Sequence, residues 1–112
     1  MEKIFQLNHE IKQHEGDVVI YGTSSEALLL FGALLNHDIY VKCFCDMDST
    51  YYDAKIMNKP CFGLEKLKEL NNPIILLDVS NIDVISYILD MGLSEDSIYV
   101  DDYSECLKRG VI

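Results

Sequence analysis

Two stretches of the sequence carry residue types that could bind a nucleotide. The first, Gly22-Thr-Ser-Ser25, lies between an apolar run and a helical pattern. A glycine there permits a tight turn, and phosphate oxygens could accept hydrogen bonds from the following helix N-terminus and from the hydroxyls of Thr23, Ser24 and Ser25. The second is Asp46, which follows Gly22 by a little more than the ~20 residues at which a carboxylate meets the ribose hydroxyls of a nucleotide.

The glycine loop matches the dinucleotide-binding pattern G-x-G-x-x-G only in part. Gly22 occupies the first glycine position, Ser24 the second and Ala27 the third. Ser24 limits how closely a pyrophosphate can approach the backbone, whereas Ala27 is small enough for close packing of the helix against the strand. Ser-Ser-Glu is also an ordinary helix start. Two interpretations are therefore open: a nucleotide-binding loop and a plain strand-to-helix turn.

Alternating apolar and amphipathic segments predict the elements that position these residues. Short apolar runs rich in β-branched residues indicate strands, and apolar residues repeating every three or four positions indicate helices. Strands are predicted at 18–21, 39–45, 56–62, 74–79 and 97–101. Helices are predicted at 3–15, where Gly16 ends the helix, and at 26–36, 64–70, 82–91 and, as a short tail, 106–112.

This alternation predicts an α/β fold, a three-layer α/β/α Rossmann-like domain with an open parallel sheet of four to five strands. The 112 residues suit a single domain, with a leading helix at 1–15 and a core at 17–103. In such sheets ligands bind at the carboxyl ends of the strands, where the strand order reverses. That rule selects the loops at 22–26, 46–49, 80–81 and 101–102. It adds Ser80 and Asn81 to the predicted nucleotide-binding residues.

Composition and charge restrict the classes of partner. Acidic residues number 19 against 9 basic ones, a net charge of −10. A surface this acidic repels both the nucleic-acid backbone and anionic membranes, so neither is expected as a partner. The apolar runs are much shorter than the roughly 18 residues of a membrane span, and we expect a cytoplasmic protein. Its four cysteines are predicted to be buried thiols in a reducing compartment.

Catalytic machinery is harder to find in the sequence. No Cys–His pair or Ser–His–Asp trio converges on a strand end, and no cysteine spacing predicts a metal site. Tyr51 and Lys55 fit the Y-x-x-x-K pair of short-chain dehydrogenases. In those enzymes the pair lies on a helix beside the nicotinamide, whereas here it directly follows the second strand, so we interpret the match as a coincidence.

Three motifs together resemble one particular Rossmann-like module. They are Val19-Ile-Tyr-Gly-Thr-Ser-Ser-Glu-Ala, Val41-Lys-Cys-Phe-Cys-Asp46 and Asn58-Lys-Pro-Cys-Phe-Gly63 followed by a leucine-rich segment. The module is the N-terminal nucleotide-sugar-binding domain of bacterial sugar acyltransferases and related polysaccharide-biosynthesis proteins. The resemblance covers about residues 17 to 103. It implies that Asp46 contacts the uridine or ribose of a UDP-sugar, and that Pro60 and Gly63 form the turn before the next helix.

The resemblance implies a domain that binds a nucleotide or nucleotide-sugar in polysaccharide or surface-sugar biosynthesis. In that family the acyl-transfer chemistry lies on a hexapeptide-repeat domain, which does not follow here, so we expect no activity from this domain alone. The expected ligand is a UDP-sugar or NAD, and the expected protein partner is a catalytic transferase or a second copy. Two alternatives remain: a degenerate interaction or dimerisation module without ligand, and a small NAD-binding oxidoreductase.

Overall fold

The computed structural model describes residues 3–4, 11, 13–52 and 54–109. Its sheet has seven strands in the order β1-β7-β6-β2-β3-β5-β4. The strands are β1 Lys3–Ile4, β2 Val18–Tyr21, β3 Val41–Cys45, β4 Lys55–Ile56, β5 Lys59–Phe62, β6 Ile74–Asp78 and β7 Ile98–Asp101. The five neighbouring pairs among β1, β7, β6, β2, β3 and β5 are parallel. The strand β4, at one edge of the sheet, pairs antiparallel with β5. The Rossmann-like α/β prediction is confirmed, with more strands than the four to five expected.

The central strands are apolar on both faces because helices cover both sides of the sheet. Along β2, Val18 and Ile20 face one layer, while Val19 and Tyr21 face the other. The first layer contains the helices α1 (Ser25–Asn36) and α3 (Tyr103–Arg109). The second contains α2 (Ile85–Asp90) and the 3-10 segments Leu64–Glu69 and Val79–Val84. This double coverage produces the three layers that the continuous apolar runs predicted.

The segment predicted as one weak strand at 56–62 is a hairpin. Met57 and Asn58 form its turn with positive φ values of 51° and 66°, the backbone conformation that a two-residue turn between antiparallel strands requires. Pro60 lies in β5, which pairs with β3 on one side and with the two-residue β4 on the other. The proline is therefore one strand in from the edge, not on the edge element that its missing N–H predicted.

The predicted helix at 3–15 is confirmed at Ile11, which is helical, and is wrong at both ends of the segment. Lys3 and Ile4 form β1, which pairs with β7, and residues 13–15 are not helical. Residues 5–10 and 12 lie outside the described residues. Gly16 ends no helix: a Cβ there would collide with the carbonyl oxygens of Asn71 and Asn72. Close approach of two backbone segments, rather than helix capping, therefore requires this glycine.

The helix predicted at 26–36 is the α-helix α1, whereas the remaining predicted helices differ from the structure in type or in bounds. The segment at 64–70 is a 3-10 helix, and the one at 82–91 begins as 3-10 at Val79 and becomes α-helical at Ile85. The tail predicted at 106–112 begins earlier, at Tyr103, and residues 110–112 lie outside the described part. All four cysteines are buried thiols that form no disulfide, as predicted. Within the described residues no helix has the length and apolar character needed to cross a membrane.

Candidate functional site

A cleft lies at the carboxyl ends of the central strands, where the order of the strands in the sheet reverses. From β2 the chain continues to β3 on one side and later returns to β6 on the other, so the carboxyl end of β2 lies at the switch point of the strand order. The cleft has a volume of about 600 Å³. Its walls come from the loops that follow β2, β3, β6 and β7. These are the four strand ends that the sequence selected.

Gly22 turns the chain out of β2. Its φ of 103° lies in the left-handed region, where a residue with a side chain would be strained. Its N–H donates to the carbonyl of Cys45 at 2.7 Å. This bond extends the pairing of β2 with β3 by one residue, so the two loops that follow begin side by side. The conformation, together with the position at the strand end, explains the glycine independently of any ligand.

The N-terminus of α1 forms one wall of the cleft. Ser24 is its N-cap, and its hydroxyl accepts the N–H of Ala27 at 3.2 Å. The carbonyl of Ser24 accepts the N–H of Leu28. The amides of Ser25 and Glu26 donate to no acceptor in the described part of the chain, and they belong to the first turn, where an anion would meet the positive end of the helix dipole. Ser25 itself bonds Glu26 through its side chain and does not line the cleft.

Asp46 lies beside this turn at the end of β3. One of its carboxylate oxygens accepts the Thr23 hydroxyl at 3.1 Å, and the other accepts the Asp48 amide at 2.8 Å. Its backbone carbonyl accepts the Tyr52 hydroxyl at 2.9 Å. A carboxylate has about four acceptor positions, so Asp46 is oriented by two bonds and retains capacity for two more. The carboxylate is therefore preorganised to accept neighbouring hydroxyl groups.

The loop after β6 is built around a second aspartate, Asp78. Its carboxylate accepts the hydroxyl and the amide of Ser80 and, at 2.8 Å, the amide of Tyr103. Burial acts to raise the pKa of Asp78, but these hydrogen bonds outweigh it and lower the pKa below the usual value. Ser80 and Asn81 line the cleft. Asp78 is the N-cap of the segment that begins at Val79, and the Ser80 hydroxyl already donates to its carboxylate.

Tyr103 closes the inner end of the crevice. Its hydroxyl is 2.6 Å from the carbonyl of Leu76 and 3.2 Å from that of Tyr21. The paired register of β2 and β6 ends at Ile20 and Leu76, so this side chain joins the two strands where they begin to separate. Burial raises the pKa of the Tyr103 hydroxyl well above its usual value, and it therefore remains a neutral donor.

The electrostatics of the cleft are one-sided. Among the described lining residues there is no lysine, arginine or histidine, whereas several carboxylates are present. They belong to Glu26, Asp46, Asp48, Asp78 and Asp102. Burial together with the charge of Asp46 raises the pKa of Tyr21, at the end of β2, to about 12. The cleft therefore favours hydroxyl donors and opposes anions, except at the α1 N-terminus. No group suited to a metal ion occurs among the described residues.

The structure brings most of the predicted site residues together and adds two that the sequence did not single out. Gly22, Thr23, Ser24, Asp46, Ser80 and Asn81 line one cleft, and Ser25 lies beside it. Asp78 and Tyr103 were missed. A signal for Asp78 was present, because aspartate is a preferred N-cap residue and here it ends an apolar strand run shortly before a predicted helix. Tyr103 carried none, because its partners lie 27 and 82 residues away in the chain.

Comparison with known proteins supports the fold and little more. The sequence matches no protein-family profile, and no curated protein is significantly similar to it. One similar solved structure is the UDP-D-quinovosamine 4-dehydrogenase from Vibrio fischeri. The two chains superpose with a TM-score of 0.62 at 14% sequence identity, over 88% of each. At this identity the likeness establishes a Rossmann-like α/β fold, a fold class that also occurs in a nucleotide-sugar enzyme.

Proposed function

We propose that this domain binds a nucleotide or nucleotide-sugar in the cleft at the carboxyl ends of β2, β3 and β6, and that it has no catalytic activity alone. The observation that carries the proposal is the convergence of the Gly22 turn, the α1 N-terminus and the Asp46 carboxylate at the switch point of the sheet. A UDP-sugar is the ligand we favour, in surface-sugar or polysaccharide biosynthesis. The similar fold of a UDP-sugar dehydrogenase supports this choice.

The proposed ligand lies across the cleft with its hydroxyl groups towards the carboxylates. Asp46 accepts both ribose hydroxyls with the acceptor capacity that Thr23 and Asp48 leave open. The phosphates approach the amides at the start of α1. Tyr51 and Val79, 40% and 45% exposed, lie on the loops after β3 and β6, on either side of β2, and offer apolar surface to a planar base.

The acidic lining of the cleft repels the phosphates of a nucleotide ligand. A diphosphate entering the cleft approaches several carboxylates, and the opposing attraction comes from the helix dipole and backbone amides. We therefore expect weak binding of UDP and UDP-sugars that becomes tighter as salt screens the repulsion. Uridine, which lacks the phosphates, should bind with an affinity that salt hardly changes.

A second candidate is an interaction module whose ancestral pocket has lost its ligand. Ser24 favours it, because the hydroxyl at the second glycine position serves as a helix cap, a role that any strand-to-helix turn could use. The absence of basic residues from the described lining favours it too. Such a module would dock a catalytic transferase. It would bind neither nucleotides nor nucleosides.

Isothermal titration calorimetry with UDP, a UDP-hexose, NAD and uridine distinguishes the two candidates. The informative variant is Asp46→Asn, which keeps the shape of the side chain and replaces one acceptor by a donor. Its matched control is Asp90→Asn, which removes the same charge at an exposed position outside the cleft. We expect Asp46→Asn to weaken uridine and UDP binding about tenfold and the control to have little effect. Absence of heat from every ligand at millimolar concentration would refute nucleotide binding.

A further inference from the structure

Helix α1 is apolar on the side turned away from the sheet. Its core-facing residues are Ala27, Leu30, Phe31 and Leu34. On the opposite side Leu29 is 62% exposed and Leu35 is 45% exposed. From Ala27 to Asn36 the helix carries no charged side chain. Surface helices normally place charged or polar residues on the side that faces solvent, so α1 departs from the usual pattern over almost its whole length.

Gly32 lies at the centre of this exposed face. Residues three and four positions away are its neighbours on the helix surface, and these are Leu28, Leu29, Leu35 and Asn36. A Cβ built on Gly32 would meet no described residue within 4 Å beyond the backbone of the helix itself, and Gly32 is not among the glycines with positive φ. Glycine inside a helix is destabilising relative to alanine. Nothing in the described part of the monomer requires a glycine at this position, where the missing side chain leaves room for another backbone to approach α1 closely.

The spacing of the exposed leucines identifies that external backbone. We propose that a second copy of this chain packs its α1 antiparallel against α1, across a two-fold axis at Gly32. Leu29 and Leu35 lie at equal distances before and after Gly32. The two-fold axis therefore places Leu29 of each copy against Leu35 of the other, and the glycines face each other at the crossing. A face that is symmetric about its own centre is what an isologous dimer needs.

Charge distribution supports the same partner. At a net charge of −10, two copies repel each other wherever acidic surfaces meet. The α1 face avoids this repulsion, and depletion of charge is the compositional mark of an interface core. The exposed apolar residues of the opposite layer differ in this respect. Ile82 and Tyr87 lie on a segment that also carries Asp83 and Asp90.

The size of the face sets the expected strength of the dimer. A 12-residue helix is about 18 Å long and about 10 Å wide, so α1 alone covers much less than the ~800 Å² per partner of a standard interface. The dimer therefore belongs to the weak class, with a dissociation constant of roughly 10 to 300 μM. It must be sought at high protein concentration. It requires no ligand and is independent of the proposed nucleotide site.

Sedimentation velocity from about 10 μM to about 1 mM protein tests the proposal on the full chain. We expect the wild type to shift from monomer to dimer across this range. Leu29→Lys, which introduces charge on the face, should weaken association at least about tenfold. Tyr87→Lys, the same change at a 54% exposed position of the opposite layer, should leave it unchanged. A wild type that stays monomeric at the highest concentration, or equal effects of the two variants, would overturn the proposal.

Mixing two variants tests the antiparallel register. Leu29→Lys and Leu35→Glu should each associate poorly alone. In an equal mixture, one pair of facing positions brings the introduced lysine against the introduced glutamate, and the other keeps both leucines. The mixture should therefore associate more tightly than either variant, and no gain on mixing contradicts this register.

Gly32→Ala should raise the thermal stability of the monomer and weaken the dimer. Alanine favours the helix, so the midpoint of thermal unfolding of the dilute monomer should rise by about 4 °C. The added methyl groups separate the crossing helices, so dimer affinity should fall at least about fivefold. Unchanged or tighter association in Gly32→Ala would exclude close backbone contact at this position.

Discussion

Asp46 and Asp78 occupy equivalent places on either side of β2, but their carboxylates accept different numbers of hydrogen bonds. Each lies at the carboxyl end of its strand region, lines the same cleft and is hydrogen-bonded through both carboxylate oxygens. Asp46 accepts one bond on each oxygen. Asp78 accepts the amide and hydroxyl of Ser80 and also the amide of Tyr103, at the starts of two following segments.

The difference is one of remaining acceptor capacity. Asp78 is committed to joining the Val79 segment and α3 to the sheet, and this fixes the wall of the cleft. Asp46 is oriented by Thr23 and Asp48 but keeps room for additional donors. A carboxylate at a strand end is thus not by itself a sign of ligand binding. What matters is how many of its acceptor positions the protein already uses.

The largest effect expected from this comparison is on stability. Asp78→Ala removes the N-cap of the segment starting at Val79 and leaves the part-buried amide of Tyr103 without its acceptor. We expect a loss of about 2 to 3 kcal/mol in the free energy of unfolding. Asp46→Ala should cost less than about 1 kcal/mol, because its two donors lie in partly exposed loops. Urea unfolding of both variants measures this difference, and equal losses would contradict the distinction.

Acid unfolding examines the same aspartate through its pKa. Because hydrogen bonds lower the pKa of folded Asp78, its contribution to stability is fully present above the unfolded value of about 3.9 and is lost as the pH falls through the lower folded value. Asp78→Asn should therefore make the free energy of unfolding decline less steeply below about pH 4. The control is Asp90→Asn, measured in the same way. If its free energy of unfolding declines with acid as gradually as that of Asp78→Asn, the effect is not specific to Asp78.

A smaller effect is expected at Ser24, on the Asp46 side of the cleft. Ser24→Ala removes the N-cap hydroxyl and should cost about 1 kcal/mol, whereas Ser24→Gly should cost only a few tenths. Glycine also lets a phosphate approach the backbone more closely, so Ser24→Gly should tighten UDP binding about two- to fivefold, measured by calorimetry. If Ser24→Gly does not raise the affinity for UDP, the loop acts only as a turn and a helix cap.

The sequence predicted the parts of this molecule that depend on local pattern. The buried run at 18–21 is β2, and the helix start predicted at Ser-Ser-Glu is the N-terminus of α1. The predicted strand ends place Gly22, Asp46, Ser80 and Asn81 at the carboxyl ends of the strands, as the structure does. Apolar runs and helix starts are set by nearby residues. These features can therefore be derived from the amino-acid sequence alone.

Other parts depend on contacts that no local pattern records. Lys3 and Ile4 were assigned to a helix, but pairing with β7 makes them a strand. Gly16 resembled a helix end, although the reason for it is the backbone near Asn72. Tyr103 was assigned to no helix or strand, and its hydroxyl joins two central strands. In each case tertiary contact with a distant segment overrode the local preference.

Amide chemical shifts in ¹⁵N-labelled protein titrated with uridine and UDP test the nucleotide site most directly. We expect the largest shifts at residues 22–26 and 46–48, with smaller ones at 80–81, and none of comparable size on the exposed face of α1. Asp46→Asn should reduce the shifts at residues 22–26 without altering the rest of the spectrum. Shifts confined to other surfaces, or none at millimolar ligand, would contradict nucleotide binding in this cleft.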